Sequence, residues 1–493
     1  MTLANLKSGT DIRGTALGEG NRLTDTVVKS IMVGFVEVLR RKTGVEAANM
    51  TVSVGCDSRL SSPRIKKAAV EQLLTCGVDV YDCGLCSTPA MFMTTVKKNC
   101  TGAVQITASH HPADKNGLKF FSAAGGFEGE DIAEILRIAE SFDASPYCER
   151  GQYQSVDYMS EYAHDLREMI RAGIGAADYR HPLKGFSVAV DAGNGVGGFY
   201  AVHVLKPLGA DISGSQFLEP DGHFPNHSPN PENPEAMHAV SEAVKRSGAD
   251  LGVIFDTDVD RAACVDADGK EINRNRLIAL SSAIVLKKEP GATIVTDSVT
   301  SDGLRAFIEH TLGGHQYRFR RGYKNVINEA IRLNDAGVNC PLAMETSGHA
   351  ALRENYFLDD GAYLMTKIII EAARLKQEGR TLSDLIADLQ EPAEEAEMRY
   401  AILAEDFRTY GSRVIDALGS WAAEQPGVTP ADDNREGLRL NFDSAHGDGW
   451  ALLRLSVHDP VLPLNIASRR KGGAAEIEEQ LNAFLASFDQ LKP

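Results

Sequence analysis

One rhythm constrains this chain more than any other feature: short apolar runs alternate with helical stretches, and the alternation starts three times. Val52-Ser-Val-Gly-Cys56 reads as a strand leading into a helix near Ser62, with Pro63 suited to its first turn. Val78–Tyr81 follows, then a helix after Pro89, the strand-like run 102–106 and a helix over about 129–141. Phe186–Asp191 opens a second round and Ala292–Asp297 a third. The pattern predicts three related α/β domains with mixed, mostly parallel sheets. The similarity among them is topological, with no clear residue-level repeat. The acidic stretch 388–398 reads as a linker or a strand entry, and beyond it the pattern changes. A helical segment near 405–422, strand-like runs at 437–442, 450–455 and 461–466, and a last helix over 474–485 predict a smaller α+β domain with an antiparallel sheet. At 493 residues the chain exceeds the roughly 250–300 that one core can hold. We place domains at 1–157, 158–271, 272–392 and 393–493, around one central cleft.

Two of the loops that follow strands carry chemistry. After Gly102–Ile106 comes Thr-Ala-Ser109-His110-His111-Pro, with Lys119 ten residues beyond the serine. A serine at the end of a strand, with proton acceptors close in sequence, fits an activated nucleophile. A polar surface turn is the plain alternative. In the second domain the apolar run Leu251–Phe255 ends in carboxylates at Asp256, Asp258 and Asp260, followed by Arg261. At ~4 Å two like charges repel by about 4 kcal/mol at an effective dielectric of 20, so three carboxylates in a cleft call for a cation or a raised pKa. Oxygen ligands without histidine or cysteine suit Mg²⁺, which keeps positions open for phosphate oxygens. A solvated acidic turn, or an Asp–Arg261 structural pair, is the alternative here. The glycine-rich turn 193–198 lacks the spacing of a dinucleotide fingerprint.

With these stretches in hand the chain resembles the α-D-phosphohexomutase superfamily, in its phosphomannomutase/phosphoglucomutase branch. The matching motifs run in family order: Asp11-Ile-Arg-Gly14, Gly55-Cys-Asp-Ser-Arg59 with Ser61-Ser-Pro63, Thr107–Pro112 with Asn116-Gly117 and Lys119, Asp191-Ala-Gly-Asn-Gly195, Pro220–Asn226, Asp256–Arg261 and Glu345-Thr-Ser-Gly-His349. The resemblance implies reversible phosphoryl transfer between the 1- and 6-positions of a hexose phosphate, mannose and/or glucose. It proceeds through a phosphoserine at Ser109 and a hexose 1,6-bisphosphate, which also serves as activator. Mg²⁺ is held by Asp256, Asp258, Asp260 and the Ser109 phosphate. Lys119 is the implied general acid/base, Arg13 lies beside the reacting phosphate, and His110 is placed near the serine. His111 is read as a loop-packing residue. Glu345 and Ser347 bind sugar hydroxyls, His349 lies near the reaction centre, and Arg261 is assigned to substrate binding. A lysine near its reference pKa of ~10.4 is a poor base, so Lys119 is expected to be depressed by Arg13 or burial. Ser347 has an alternative as a helix N-cap.

Departures from the family pattern are specific. Thr257 and Met344 stand where glycines are usual, and a threonine resists positive φ, so the metal loop is expected to be shaped slightly differently. In the C-terminal phosphate loop Arg454, Ser456 and Pro460 remain, whereas His458 and Asp459 replace threonine and glutamate, and Pro463 stands where a later arginine belongs. Arg454 and Ser456 can still grip a phosphate by charge-assisted hydrogen bonds, with Asn465, Arg469 or Arg470 as candidate helpers. The resemblance makes the C-terminal domain a phosphate-binding lid that excludes water while the bisphosphate reorients.

Composition bounds the partners. A formal net charge of −17 disfavours nucleic acid and anionic membranes, and no run approaches the ~18 apolar residues of a membrane span. The expectation is a cytoplasmic monomer or homodimer acting on a small hexose phosphate. Of eight cysteines, Cys83 and Cys86 have C-x-x-C spacing, but no second pair completes a zinc site, and buried free thiols are expected. Two rival functions remain: a haloacid-dehalogenase-like sugar phosphatase with Asp256 as nucleophile, and a non-catalytic sugar-phosphate binder. Within the enzyme class, bisphosphate synthesis from another phosphoryl donor is also open.

Overall fold

The computed structural model describes residues 2–141, 151–456 and 459–492. Cys148 and His458 lie outside the described residues. The chain forms two compact units, the first comprising 1–273, 347–350 and 358–384, the second 274–346, 351–357 and 385–493.

In the first unit one sheet runs, from edge to edge, through Lys7–Ser8, Asp11–Thr15, Lys115–Ser122, Gly102–Ile106, Thr51–Cys56, Asp79–Leu85 and Tyr153–Ser155. Pairing is parallel from Gly102–Ile106 through Thr51–Cys56 to Tyr153–Ser155, and antiparallel over the half that carries Asp11–Thr15 and Lys115–Ser122. That mixture matters for chemistry. Antiparallel register sets Lys119 opposite Gln105, so the lysine stands beside the strand that ends at the serine loop. Helix Asp25–Thr43 is capped by the Thr24 side chain and stopped by Gly44 in the left-handed region. Its Phe35 stacks on Phe120 at 4.8 Å between centroids and drives the core of this domain.

A second sheet orders Glu271–Ile272, Ala262–Asp266, Leu251–Phe255 and Val188–Asp191. Leu251–Phe255 runs parallel to Val188–Asp191 and antiparallel to Ala262–Asp266, so the aspartate loop is the connection of a buried hairpin. The glycine-rich turn 193–198 is its backrest. Val196 N donates to Thr257 O at 2.9 Å, and a Cβ at Gly195 would lie 2.8 Å from Thr257 Cα. The turn therefore exists for close backbone approach, and it leads into a π-helical turn at Tyr200–Leu205. Asp191 anchors its base, accepting from Gly193 N and pairing with buried His227 at 3.0 Å.

In the second unit Thr293–Asp297 lies parallel to His315–Phe319 and Leu342–Met344. The C-terminal sheet is antiparallel: Val428–Pro430, Leu438–Phe442, Gly449–Leu453, Val461–Ser468, Glu394–Ile402 and Leu491–Lys492, with helices Phe407–Glu424 and Gly473–Leu485. The acidic stretch turns out to be strand entry, its outer residues exposed at alternate positions of Glu394–Ile402. The segment 431–439 is fastened to the preceding domain: Arg305 pairs with Asp432 and Arg318 with Asp433, each at 2.9 Å, and Arg439 donates to the carbonyls of Ser298 and Thr300. The seven described cysteines are free and buried, and burial pushes the Cys83 thiol up to about 12. No helix among the described residues is long and apolar enough to cross a membrane.

Gly195→Ala is expected to destabilise the protein by about 1–3 kcal/mol, because its Cβ meets backbone that cannot rotate away. Urea unfolding checks this, and a wild-type midpoint in the variant would contradict it.

Candidate active site

The serine loop is held by side chains that hydrogen-bond its main chain. Thr107 Oγ1 accepts from Ser109 N at 2.9 Å, and Ser109 itself sits at φ +52, where an L-residue is strained. What over-determines that conformation is Arg59, a fully buried arginine. Its guanidinium donates to the carbonyl oxygens of Ser109 and His111 at 2.5 Å, Pro112 at 2.7 Å and Lys115 at 3.0 Å. Asp57 neutralises it, Nε to Oδ2 3.1 Å. Asn116, also buried, ties the far side of the loop to Ser61 and Ser62.

Ser109 and the carboxylates meet. Ser109 Oγ lies 3.1 Å from Asp256 Oδ2 and 3.1 Å from Arg261 Nη2, which also donates to Asp256 Oδ2 and to His110 Nδ1. Since arginine only donates, His110 Nδ1 is an acceptor and the imidazole is neutral. Burial, with Arg261 and His111 beside it, pulls His110 down to about 2. The same logic holds for His111, whose Nε2 accepts from Arg13 Nη1 at 2.7 Å and whose pKa falls to about 4 through burial and the charge of Arg13. His111 is thus a hydrogen-bonded partner of Arg13, beyond the packing role expected of it. Arg13 is oriented from its other side by Asp11 at 2.7 Å.

Asp258 receives Thr88 Oγ1 at 2.5 Å and Lys119 Nζ at 3.1 Å, and Lys119 also pairs with Asp260. These two partners are carboxylates of the acidic loop. Burial, then Asp260, pushes Asp256 well above the usual carboxylate range. Burial also opposes ionisation of Asp260, yet Lys119, His349 and Arg261 hold it below that range. Thr257 is not the strained residue of this loop. The positive φ, +67, falls on Val259, and Thr257, though buried, takes no positive φ, so its backbone does not need the freedom of a glycine.

A divalent cation fits these residues. Asp256, Asp258 and Asp260 offer oxygens that all lie within 4.8 Å of one another, close to the roughly 4.2 Å across a Mg²⁺ octahedron. Asp258 Oδ1 and Asp260 Oδ1 are buried without a hydrogen-bond partner among the described residues, as ligand oxygens awaiting a cation would be. The donor set is oxygen only, as magnesium prefers.

The segment 347–350 docks on the end of this loop. His349 bridges Arg261 in antiparallel fashion, and a Cβ at Gly348 would lie 3.0 Å from Ala262 O. Ser347 is buried here and caps no helix; the cap of the next helix, Gly361–Gln377, is Asp360. His349 Nδ1 hydrogen-bonds Asp359 Oδ2, and Asp359 Oδ1 accepts from Ala350 N. Burial alone would lower His349, but Asp359 and then Asp260 raise it to about 9.

In the second unit, Glu345 Oε1 accepts from Gly322 N at 2.5 Å, and Thr346 donates twice to Asp297 Oδ2. Arg454 is buried near the end of its strand, and Ser456 Oγ accepts from Asp459 N. Arg469 is paired with Asp448, Arg470 with Glu476 and Asn465 with Glu397, so the helpers considered near Pro463 are all committed elsewhere. Sequence reasoning missed Arg59, Asp57, Thr88 and Asp359 as site residues. Asp57 and Arg59 were visible as a motif, but an arginine whose targets are main-chain carbonyls leaves no side-chain signature.

Three models of the phosphoglucomutase/phosphomannomutase family match this chain: alpha/beta/alpha domain I at residues 5–145, domain II at 160–269 and domain III at 273–392. A phosphoglucomutase of Neisseria meningitidis is 30% identical over 98% of this chain and 96% of its own length. A phosphomannomutase/phosphoglucomutase of Pseudomonas aeruginosa is 30% identical over 90% and 87%. A phosphoglucomutase/phosphomannomutase family protein of Burkholderia thailandensis has a similar structure, with a TM-score of 0.80 and 26% identity over 99% and 98% of the two chains. The protein is an enzyme of the α-D-phosphohexomutase superfamily. Within it, the chain belongs to the phosphoglucomutase/phosphomannomutase family and is a hexose-phosphate mutase, an isomerase.

A histidine with a raised pKa contributes stability that is complete below its unfolded value of 6.5 and is lost as pH rises through about 9. In metal-free protein His349 is therefore expected to titrate near 9 by NMR, and Asp359→Asn to bring it down. Titration of His349 near 6.5 in the wild type would contradict the pairing.

Proposed function

We propose that this enzyme interconverts the 1- and 6-phosphates of mannose and/or glucose through a phosphoserine at Ser109 and a hexose 1,6-bisphosphate, with Mg²⁺ at Asp256, Asp258 and Asp260. The contact of Ser109 Oγ with both Asp256 Oδ2 and Arg261 Nη2, 3.1 Å each, carries this reading. In the forward direction the Ser109 Oγ–P bond breaks as the free sugar hydroxyl bonds to phosphorus, and that hydroxyl gives up its proton. After the bisphosphate turns over, its other phosphoryl group returns to Ser109 Oγ and the sugar oxygen regains a proton. Arg261 and Arg13 offer fixed positive charge where the phosphoryl oxygens develop theirs. Lys119 serves as the acid/base, and its availability depends on the carboxylates it pairs with having another partner. Bound Mg²⁺ would neutralise the phosphoryl oxygens and take up those carboxylates. His110, neutral and oriented by Arg261, lies 3.3 Å from Ser109 Oγ and positions the serine.

Sugar hydroxyls fall to Glu345 and Ser347, and the non-transferred phosphate to Arg454 and Ser456. Catalytic domains at 1–157, 158–271 and 272–392, a C-terminal domain at 393–493, a cytoplasmic location and a monomeric or homodimeric state complete the assignment. Asp256 makes a poor phosphatase nucleophile, because its Oδ2 is held by Arg261 and Ser109 together. All reaction-centre side chains are retained and mutually engaged, which disfavours a mere binder.

With Mg²⁺ and trace glucose 1,6-bisphosphate, ³¹P NMR should show glucose 1-phosphate or mannose 1-phosphate becoming the 6-phosphate without inorganic phosphate. Release of inorganic phosphate, or no conversion of either sugar, would contradict the reading. Ser109→Ala is expected to lower kcat by at least about 10³-fold, and Lys119→Met by roughly 10²–10⁴-fold.

A further inference from the structure

The C-terminal phosphate loop lacks the arginine its family pattern places near Pro463, and Asn465, Arg469 and Arg470 are committed to other partners. Arg454 is buried, and its Nε has no hydrogen-bond partner among the described residues. A buried guanidinium with an unmatched donor is half of an anion site.

The other half lies within the same unit. Gly437 packs so closely on the strand end that a Cβ there would be 2.7 Å from Arg454 Cα, which brings its neighbour Glu436 to the same place. Glu436 Oε2 in turn accepts from Arg321 N at 3.1 Å and from Ser298 Oγ. One carboxylate thus joins the loop that carries Arg321 to the strand end that carries Arg454. The electrostatics agree: burial lowers Arg454, Glu436 opposes that most strongly, and the positive charge of Arg321 is felt next. Arg321 is half-buried, so a ligand can reach it.

We propose that Arg321 supplies the second guanidinium for the substrate's non-transferred phosphate, opposite Arg454, and that Glu436 holds the place of that phosphate until substrate arrives. Two arginines around a phosphate give the forked, charge-assisted pairing that one arginine and a proline cannot. Glu436 and Asp297, whose charges act on Arg454, offset the repulsion of the two arginines in the free enzyme, and a dianionic phosphate, carrying more charge and more acceptor oxygens, displaces Glu436. The requirement explains why Pro463 is tolerated: the missing cation arrives from the loop after His315–Phe319 instead of from the C-terminal sheet. This rests on the assignment of Arg454 to phosphate binding.

The test is calorimetric binding of glucose 6-phosphate to Ser109→Ala protein with Mg²⁺, so that turnover does not intervene. Adding Arg321→Gln should weaken binding by roughly 10-fold or more, a loss comparable to Arg454→Gln, and Glu436→Gln should tighten it. Arg332→Ala, an exposed helix arginine paired with Glu329, should change nothing. In the otherwise wild-type enzyme, Arg321→Gln should raise KM with kcat little altered, and unchanged urea midpoints show that the fold is intact. Weakening by Arg454→Gln but not by Arg321→Gln would overturn this inference and leave the function standing. Binding unaffected by either substitution would overturn both.

Discussion

Everything in the catalytic unit answers one electrostatic problem: three carboxylates from a single hairpin connection share a buried pocket. Asp256, Asp258 and Asp260 cannot all be ionised there without positive charge at close range. The chain sets Arg261 from the same loop, Lys119 from another sheet and His349 beside them, and two carboxylate oxygens have no hydrogen-bond partner among the described residues. Buried carboxylate oxygens without a hydrogen-bond partner, beside Asp256 held above its ordinary range, are what a divalent ion could complete. The serine is drawn into this pocket through Asp256 and Arg261, so the acidic triad, Ser109 and Lys119 share one set of contacts.

Rigidity is the second requirement, because strain at Ser109 and Val259 persists only where neighbours fix it. Arg59 fixes the serine loop through carbonyl oxygens, and Phe224 of the second domain's signature lies over its guanidinium at 5.3 Å. The aspartate loop is fixed from behind by the glycine-rich turn and in front by the 347–350 segment, with Gly361 lying against Arg261. The glycines at these points are required by close backbone contact.

The strands and the order of the loops were legible in the sequence because apolar periodicity and turn residues report local structure directly. The acidic triad and the serine were legible as well, since their chemistry lies in contiguous residues. What escaped was pairing at a distance. Asp359 orients His349 from across ten residues, and Thr88 reaches Asp258 from another domain; neither pair has a spacing that betrays it. At Thr257, where glycine is usual, the expectation is a loop of slightly different shape; Thr257 takes no positive φ, and the left-handed residue is Val259, two places later. The replacement for the arginine near Pro463 was sought in neighbouring residues, and the local candidates proved to be engaged elsewhere.

The central claim is that Ser109 carries the phosphoryl group within this charge balance. Peptide mapping by mass spectrometry, after incubation with Mg²⁺ and glucose 1,6-bisphosphate, tests it most directly. The account predicts one phosphoryl group on the peptide containing Ser109, lost again when hexose 1-phosphate is added and absent from Ser109→Ala. Phosphate on Asp256, or on no residue while conversion proceeds, would contradict it.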